Sequence, residues 1–323
     1  MRRREFITLF SSAALVQPLA ARAQQTAPTI GFLYEGLPEP LPLMAAFRQG
    51  LLEAGIGEAG VAFENRWAEG QYDRLPALAI ELRDKGVRII AAAYLVAALA
   101  AKAATQTVPI VFVTGSDPVA AGLVSSLNRP TGNLTGVAFM FTRLGPKNLA
   151  MLHELVPKAI VIGVLVNPNN PNAGPQLRDL EKAARALALQ LVTLPAKTAQ
   201  EVDYQFATLP ERHVQALLVS ADGFFFGLQD QIVTLAARYR MPAVYPLSDY
   251  AAAGGLISYG ANRSDAFRRT GFYVGRVLAG VHPTDLPVLQ AARFDLVINL
   301  KTSNALDLTV PPTLLTLADE VIE

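Results

Sequence analysis

Short apolar runs rich in β-branched residues alternate with longer segments of helical periodicity along most of this chain. Residues 29–34, 87–92 and 109–113 are nearly continuous apolar runs, whereas residues 75–85 and 96–105 repeat apolar positions at helical spacing. Strands that are apolar on both faces and separated by helices indicate a parallel sheet with helices on each side. The sequence therefore predicts an α/β protein.

The alternation occurs in two series, so we expect two doubly wound parallel-sheet lobes. The second series starts after Leu144-Gly145-Pro146 and continues to a strand at 243–245. A late helix at 264–278 and a late strand at 294–300 suggest that the chain returns to the first lobe and then crosses to the second again. We assign residues 28–142 and about 258–285 to the first lobe, and residues 143–257 and about 286–323 to the second.

Residues 1–23 have the order of an export signal. Arginines at positions 2–4 precede a mildly apolar stretch at 8–16, and Ala21-Arg22-Ala23 follows as a small-residue cleavage site. The paired arginines before the apolar stretch resemble a twin-arginine signal, although the Sec route stays open. The alternative is a basic, frayed N-terminus on a cytosolic protein. Cleavage after Ala23 predicts an exported chain that begins at Gln24.

The chain has no cysteine, so we expect neither disulfide bonds nor a lipid-modified cysteine at the mature N-terminus. The exported protein is then predicted to be a soluble, periplasmic monomer. Its net charge is +1 with the predicted signal and near −2 without it, which argues against nucleic acid as a partner. The longest apolar stretch, residues 89–101, is shorter than the roughly 20 residues of a membrane span.

Polar and aromatic residues follow several of the predicted strands. In open α/β sheets, ligands bind beyond the carboxyl ends of the strands, where loops and helix N-termini leave backbone N–H groups available. Each of these loops also has a purely structural interpretation as a turn or a helix cap. Taken together they predict a ligand-binding cleft, with ten candidate residues: Tyr34, Glu35, Tyr94, Ser116, Asp117, Asn167, Asn169, Asp222, Phe224 and Tyr259.

Catalytic chemistry has little support in the sequence. His153, His213 and His282 lie far apart, show no metal-ligand spacing and fall in or beside predicted helices, away from the strand ends. The nucleophile elbow, the Walker loop and the zinc-protease motif are all missing, and no glycine-rich dinucleotide loop follows the first strand. We therefore expect no catalytic residue, no cofactor and no bound metal.

Several longer segments resemble a known family. They are RWAEGQYDRLP at 66–76, PIVF at 109–112, DPV at 117–119, SLNRPTGNLTG at 126–136, LVNPNNP at 165–171 and AAGGLISYG at 252–260. The combination is similar to ABC-transporter substrate-binding proteins of an uncharacterised branch related to the tryptophan- and tyrosine-binding group. The resemblance covers essentially the whole predicted mature chain.

The resemblance implies a type I periplasmic binding fold, in which three hinge strands join the two lobes. It implies a receptor that closes on a small molecule and delivers it to an ABC permease with its ATPase complex. A periplasmic sensing module that feeds a membrane kinase or chemoreceptor is the alternative function. A hydrolytic or isomerising α/β enzyme has weaker support.

The residues at the strand ends favour an amino acid or a small aromatic acid as the ligand. Tyr94 and Phe224 are expected to contact an apolar or aromatic body. Glu35, Asp117 and Asp222 would pair with an ammonium group, while Asn167 and Asn169 would hydrogen-bond a carboxylate or an amide. Relatives often have a small or hydroxyl residue where this chain has Tyr94, so the departure predicts a more aromatic pocket or a less acidic ligand.

Overall fold

The computed structural model describes residues 27–38, 41–140, 143–290 and 294–323 of the chain. The predicted export signal lies outside these residues. The strands, in chain order, are β1 Thr29–Tyr34, β2 Ala62–Trp67, β3 Ile89–Ala93, β4 Ile110–Thr114, β5 Leu134–Ala138, β6 Val161–Val166, β7 Gln190–Pro195, β8 Ala216–Val219, β9 Ala243–Tyr245, β10 Ile257–Ala261, β11 Leu289–Gln290, β12 Phe294–Asn299 and β13 Glu320–Ile322.

The α-helices are, in chain order, α1 Leu41–Glu53, α2 Leu75–Asp84, α3 Leu95–Ala104, α4 Gly145–Leu155, α5 Ala173–Ala186, α6 Ala199–Ala207, α7 Gly223–Gly227, α8 Gln229–Arg238, α9 Ser248–Ala252, α10 Arg263–Leu278, α11 Leu300–Ala305 and α12 Pro312–Leu317. None of the helices in the described ranges is both long enough and apolar enough to cross a bilayer.

The strands form two sheets, which confirms the predicted α/β fold class. The first has the order β2-β1-β3-β4-β5-β11 with every pair parallel. The second has the order β7-β6-β8-β9-β10-β12-β13 and is parallel except for the pairing of β10 with β12. Strands β3, β4 and β5 are buried along their whole length, as their continuous apolar sequences require.

The two sheets share one winding pattern. In each, the first strand of the series lies between the second and the third, so the strand order reverses between β1 and β3 and again between β6 and β8. At such a reversal the connecting helices leave to opposite faces of the sheet and open a crevice at the carboxyl ends of the strands. The fold therefore places one crevice in each lobe.

The helix α10 packs across α1 and covers one face of the first sheet. Glycines allow the two helices to touch: a Cβ on Gly50 would lie 1.7 Å from the carbonyl oxygen of Arg268, and one on Gly271 would lie 1.9 Å from that of Phe47. Because α10 comes more than two hundred residues after α1 in the chain, the first lobe is built from separate segments.

The strand pairings refine the expected crossings between lobes. Residues 257–261 pair with β9 and β12 in the second sheet, so the chain returns to the first lobe after Ala261 and not at about 258. Residues 289–290 pair with β5, so the first lobe extends past 286. We propose lobes of residues 28–142 with 262–290, and 143–261 with 294–323.

Candidate functional site

A cavity lies between the two lobes, at the crevices that the strand order creates. The lobes lie so close together that the space open to the centre of a water-sized sphere is only about 20 Å³. The first lobe lines it with Glu35, Tyr94, Leu95, Gly115 and Ser116. The second lobe lines it with Asn170, Asn172, Ala221, Asp222, Gly223 and Phe226. Loops after β1, β3 and β4 thus face loops after β6 and β8.

Asp222 is the most heavily hydrogen-bonded group at the cavity. It precedes α7, and its carboxylate accepts the backbone N–H of Phe224 at 2.9 Å as an N-cap. It also accepts hydrogen bonds from Asn170 Nδ2 at 2.6 Å, Asn167 Nδ2 at 3.2 Å and the Tyr72 hydroxyl at 3.1 Å. Burial raises the pKa of Asp222 in spite of these donors. The Tyr72 bond joins the two lobes.

Glu35 is the second buried carboxyl group, and it comes directly after β1. Its Oε2 accepts the backbone N–H of Val96 at 3.1 Å, in the first turn of α3. Burial raises the pKa of Glu35 well above its usual range, and the nearby charge of Asp222 raises it further. Two carboxyl groups from opposite lobes therefore lie close enough to influence each other's ionisation.

Tyr94 has a strained backbone at the start of α3. Its φ of 72° and ψ of 173° fall in a region that is almost restricted to glycine. Its ring contacts those of Tyr34 and Phe226 at centroid distances of 5.4 and 5.5 Å. Strain of this kind costs about 1–3 kcal/mol and concentrates at functional sites, because the surrounding contacts must hold it. Here those contacts come from both lobes.

Arg263 lies beside the cavity but does not line it. It begins α10 and is 5 % exposed. Its Nη2 lies 3.2 Å from Asp249 Oδ2, its Nη1 donates to the Tyr94 hydroxyl at 3.2 Å, and its guanidinium lies 5.2 Å from the centre of the Phe226 ring. The cation therefore joins the lobes behind the aromatic wall of the cavity.

The lobes are closed on each other in this structure. Asn172 donates a hydrogen bond across the cleft to Ser116 Oγ at 2.6 Å. A Cβ on Gly223 would lie 2.4 Å from Glu35 Oε1, and one on Gly70 would lie 2.6 Å from the Phe224 ring. Approaches as close as these leave no room for side chains at the two glycines.

Four of the ten predicted site residues line the cavity: Glu35, Tyr94, Ser116 and Asp222. Three others lie directly behind or beside it. Tyr34 is buried against Tyr94, Asn167 donates to Asp222, and Phe224 meets Gly70 across the cleft. The assignment of these residues to ligand binding stays a prediction.

The remaining three predicted residues lie away from the cavity. Asp117 accepts a hydrogen bond from Arg143 Nη2 at 2.7 Å and holds the turn that follows β4. Asn169 is exposed, because the loop after β6 turns its neighbour inward instead. Tyr259 packs on Phe294 and under the Lys147 ammonium, on the far part of the second sheet.

Sequence reasoning missed five polar or aromatic side chains at or beside the cavity: Tyr72, Asn170, Asn172, Phe226 and Arg263. The two asparagines lie in the run at 167–172 that was already a candidate, and Phe226 closes the aromatic triplet that begins at Phe224. Tyr72 lies just before α2 and Arg263 begins α10, and neither carries a local signal of its role. Within the described residues, no cluster of acidic residues or histidines has the arrangement of a metal site.

The chain is similar to several known proteins. A family model described as ABC transporter substrate binding protein matches residues 42–322. A tyrosine-binding protein of Clostridioides difficile (strain R20291) is 28 % identical over 211 residues, which span 65 % of this chain and 60 % of that relative.

Two solved structures share the fold. An ABC domain from Streptococcus pneumonia in complex with L-Trp superposes with a TM-score of 0.81, at 24 % identity, over 92 % of this chain and 100 % of that one. A ligand-free, open substrate-binding protein from Clostridium difficile gives a TM-score of 0.61, at 24 % identity, over 91 % of this chain and 99 % of that one.

Proposed function

Since the chain belongs to the ABC transporter substrate-binding protein family, we propose that it is the periplasmic receptor of an ABC-type uptake system. In this role it closes on a small molecule and delivers it to a membrane permease with its ATPase complex. The observation that carries the proposal is the cavity enclosed between two lobes, with polar groups of both lobes on its walls. The family consists of substrate-binding proteins and not of enzymes.

The export signal expected at residues 1–23 supports the periplasmic location. With cleavage after Ala23, the mature chain begins at Gln24 and has no cysteine to carry a lipid, so we propose a soluble receptor that acts as a monomer. A ligand that touches both lobes binds only the closed form tightly, and its differential affinity shifts the population toward that form.

We propose an amino acid or a small aromatic acid as the ligand class. The relative named as tyrosine-binding and the neighbour solved with L-Trp support this choice. In the cavity, the rings of Tyr94 and Phe226 are suited to an apolar body, and Glu35 and Asp222 are suited to an ammonium group. Ser116 and the asparagines after β6 supply uncharged hydrogen-bonding groups.

A thermal-shift screen of amino acids, aromatic acids, nucleosides and sugars tests the proposal. A ligand at a hundredfold excess over its Kd stabilises the folded protein by about 2.7 kcal/mol, which raises the Tm measurably. The expected hits are amino acids or aromatic acids. Hits confined to sugars or phosphate esters would contradict the proposed ligand class.

A matched pair of variants tests whether the ligand binds in the cavity. Asn172→Ala removes a side chain that bonds across the cleft, and we expect it to weaken binding of a screened hit about tenfold, as for the loss of one buried hydrogen bond. Asn304→Ala alters an exposed asparagine on α11 and should leave the affinity unchanged. Equal affinities for both variants would place the ligand elsewhere.

Closure is tested separately by X-ray scattering and by the fluorescence of Trp67, which packs edge-on against Tyr34 at 5.8 Å between ring centres. A bound ligand should lower the radius of gyration. A tight ligand that changed neither quantity would rule out hinge closure. Loss of labelled-ligand uptake in a deletion strain would establish the transport role.

A further inference from the structure

The walls of the cavity carry two carboxyl groups and no basic side chain. Of the eleven lining residues, Glu35 and Asp222 are acidic and none is Lys, Arg or His. The nearest buried cation, Arg263, is held by Asp249 and Tyr94 behind the aromatic wall. The formal charge that a ligand meets in the cavity is therefore negative.

The backbone N–H groups that would otherwise hold an anion are occupied by the chain's own carboxylates. At the start of α3, the Val96 N–H donates to Glu35 Oε2 at 3.1 Å. At the start of α7, the Phe224 N–H donates to Asp222 Oδ1 at 2.9 Å. After β4, the Val119 N–H donates to Asp117 Oδ1 at 3.0 Å. A ligand carboxylate would have to displace a protein carboxylate at each of these turns.

Asparagine oxygens close the loop after β6 in the same way. Asn167 Oδ1 accepts the N–H of Asn169 at 3.0 Å, and Asn170 Oδ1 accepts the N–H of Asn172 at 2.9 Å. The amide nitrogens of Asn167 and Asn170 point to Asp222. The side-chain donors of Asn167 and Asn170 thus serve the buried carboxylate, and that of Asn172 serves Ser116 Oγ across the cleft.

Two carboxyl groups buried together favour a compensating positive charge. Removal from water and mutual repulsion both act against their ionised forms, so the pKa values of Glu35 and Asp222 lie above the usual range in the closed form. The neighbouring titratable groups are Tyr72 and Tyr250, whose pKa values burial raises, so their hydroxyls are neutral. Both carboxyl groups therefore take up a proton more readily than exposed ones do, and a ligand cation would compete with that proton.

We infer that the ligand is an organic cation whose ammonium group binds between Glu35 and Asp222, and that a carboxylate on the ligand adds nothing to affinity. The inference rests on the proposed function and narrows its ligand class: amines and amino acid amides bind at least as tightly as the amino acids, and aromatic acids without an amine do not bind. The ammonium group competes with protonation of the two carboxyl groups, so the affinity rises with pH.

The test is titration calorimetry with two series that share a ring and differ in charge. One series is tyramine, L-tyrosine and 3-(4-hydroxyphenyl)propionate, and the other is tryptamine, L-tryptophan and indole-3-propionate. We expect the amine to bind at least as tightly as the amino acid, and the acid at least about tenfold more weakly. Titrations in buffers of different ionisation enthalpy should show proton release.

The outcomes separate this inference from the proposed function. Binding of the acid, or of the amino acid but not the amine, would overturn the inference, and lobe closure on that ligand would leave the receptor function standing. If no member of either series bound, and no organic cation in a wider panel did, the inference would fail. If no small molecule of any charge bound, the proposed function would fail with it.

Two variants locate the charge. Glu35→Gln keeps the size of the side chain and should weaken amine binding at least about tenfold while abolishing proton release. Asp117→Asn removes a strand-end carboxylate that pairs with Arg143 outside the cavity, and it should change neither quantity. Native amine affinity and proton release in Glu35→Gln would overturn the inference.

Discussion

At the scale of single residues, the Tyr72 hydroxyl is the contact whose removal is easiest to interpret. It donates to Asp222 from the other lobe and lies in a fully packed position. Tyr72→Phe deletes only this oxygen, and a hydrogen bond to a charged partner is worth about 1.5–3 kcal/mol. We expect ligand affinity, measured by calorimetry, to fall at least about tenfold.

The control for this substitution is Tyr204→Phe, because the Tyr204 side chain is 65 % exposed and lies on α6, away from the cavity. It should bind ligand as the native protein does. If Tyr72→Phe also left the affinity unchanged, the hydroxyl would not contribute to the closed form.

The sequence predicted where polar residues would gather, but not which of them would point inward. The loop at 167–172 illustrates the reason. A loop has no periodicity, so nothing in the sequence distinguishes Asn169, which is exposed, from Asn170, which is buried against Asp222. The positive φ of Tyr94 was equally hidden, because the contacts that hold it come from residues distant in sequence.

At the scale of elements, the crossing of α1 and α10 gives a prediction for stability. Gly271→Ala places a methyl group against the backbone of Phe47. Neither helix can move away without disturbing the packing of α1 and α10 on the first sheet. Overpacking of this kind costs about 1–3 kcal/mol or more. Urea unfolding should show that loss as a lower midpoint.

Gly57→Ala is the matched control. Gly57 has a φ of −75° and nothing within 4 Å of an added Cβ, so the substitution should be neutral or slightly stabilising. Equal midpoints for the two variants would show that α1 and α10 can separate freely, contrary to the packing described above.

Most of the longer helices and strands were predicted from their periodicity to within a few residues. The unpredicted elements are short or interrupted by glycine. The strand β5 contains Gly136, which weakens its apolar pattern, yet the sheet needs glycine there because a Cβ would lie 2.1 Å from the Phe112 carbonyl oxygen. The two residues of β11 are too few for any pattern to reveal.

At the scale of the whole molecule, Gly223 should control closure. A methyl group at this position would meet the Glu35 carboxyl group, which its bond to Val96 and its burial hold in place. Gly223→Ala should therefore favour the open form, with a larger radius of gyration and at least about tenfold weaker binding.

Gly174→Ala provides the comparison, since the nearest atom to its added Cβ is the flexible end of Arg178 at 3.4 Å. Scattering from this variant should match that of the native chain. A Gly223→Ala protein as compact as the Gly174→Ala protein would show that the two lobes meet differently in solution.

The pH should also change the balance between open and closed forms. Glu35 and Asp222 are buried in the closed form, where burial raises the pKa of both. We expect opening of the cleft to return them to water, so the closed form should bind protons more tightly than the open form. The free energy by which protonation favours the closed form is fully present below the ordinary carboxyl pKa. It is lost as the pH rises through the raised pKa values. Without ligand, the radius of gyration should decrease as the pH is lowered from neutrality.

Circular dichroism over the same pH range would verify that the chain stays folded. The double variant Glu35→Gln with Asp222→Asn removes both titrating groups, and its radius should not depend on pH. A native protein that expanded on mild acidification, with its helices intact, would contradict the proton-linked closure.

The two-lobed plan followed from the repeated alternation of strands and helices, and the structure confirms it. The points at which the chain crosses between the lobes were harder to predict. Hydrophobic patterns show that Ile257–Ala261 is apolar, but they do not show which sheet an apolar strand joins. That choice depends on the neighbours β9 and β12, which the pattern of one segment does not contain.

The interleaving of the segments also affects when each lobe can complete its fold during synthesis. A ribosome releases β1 to β5 early, but α10 and β11, which complete that half, emerge only after β6 to β10 have been synthesised. The first lobe therefore stays incomplete, with α1 not yet covered by α10, while most of the second lobe is translated. Domains usually fold in turn from the N-terminus during synthesis, whereas here neither half can be finished until nearly the whole chain has been made.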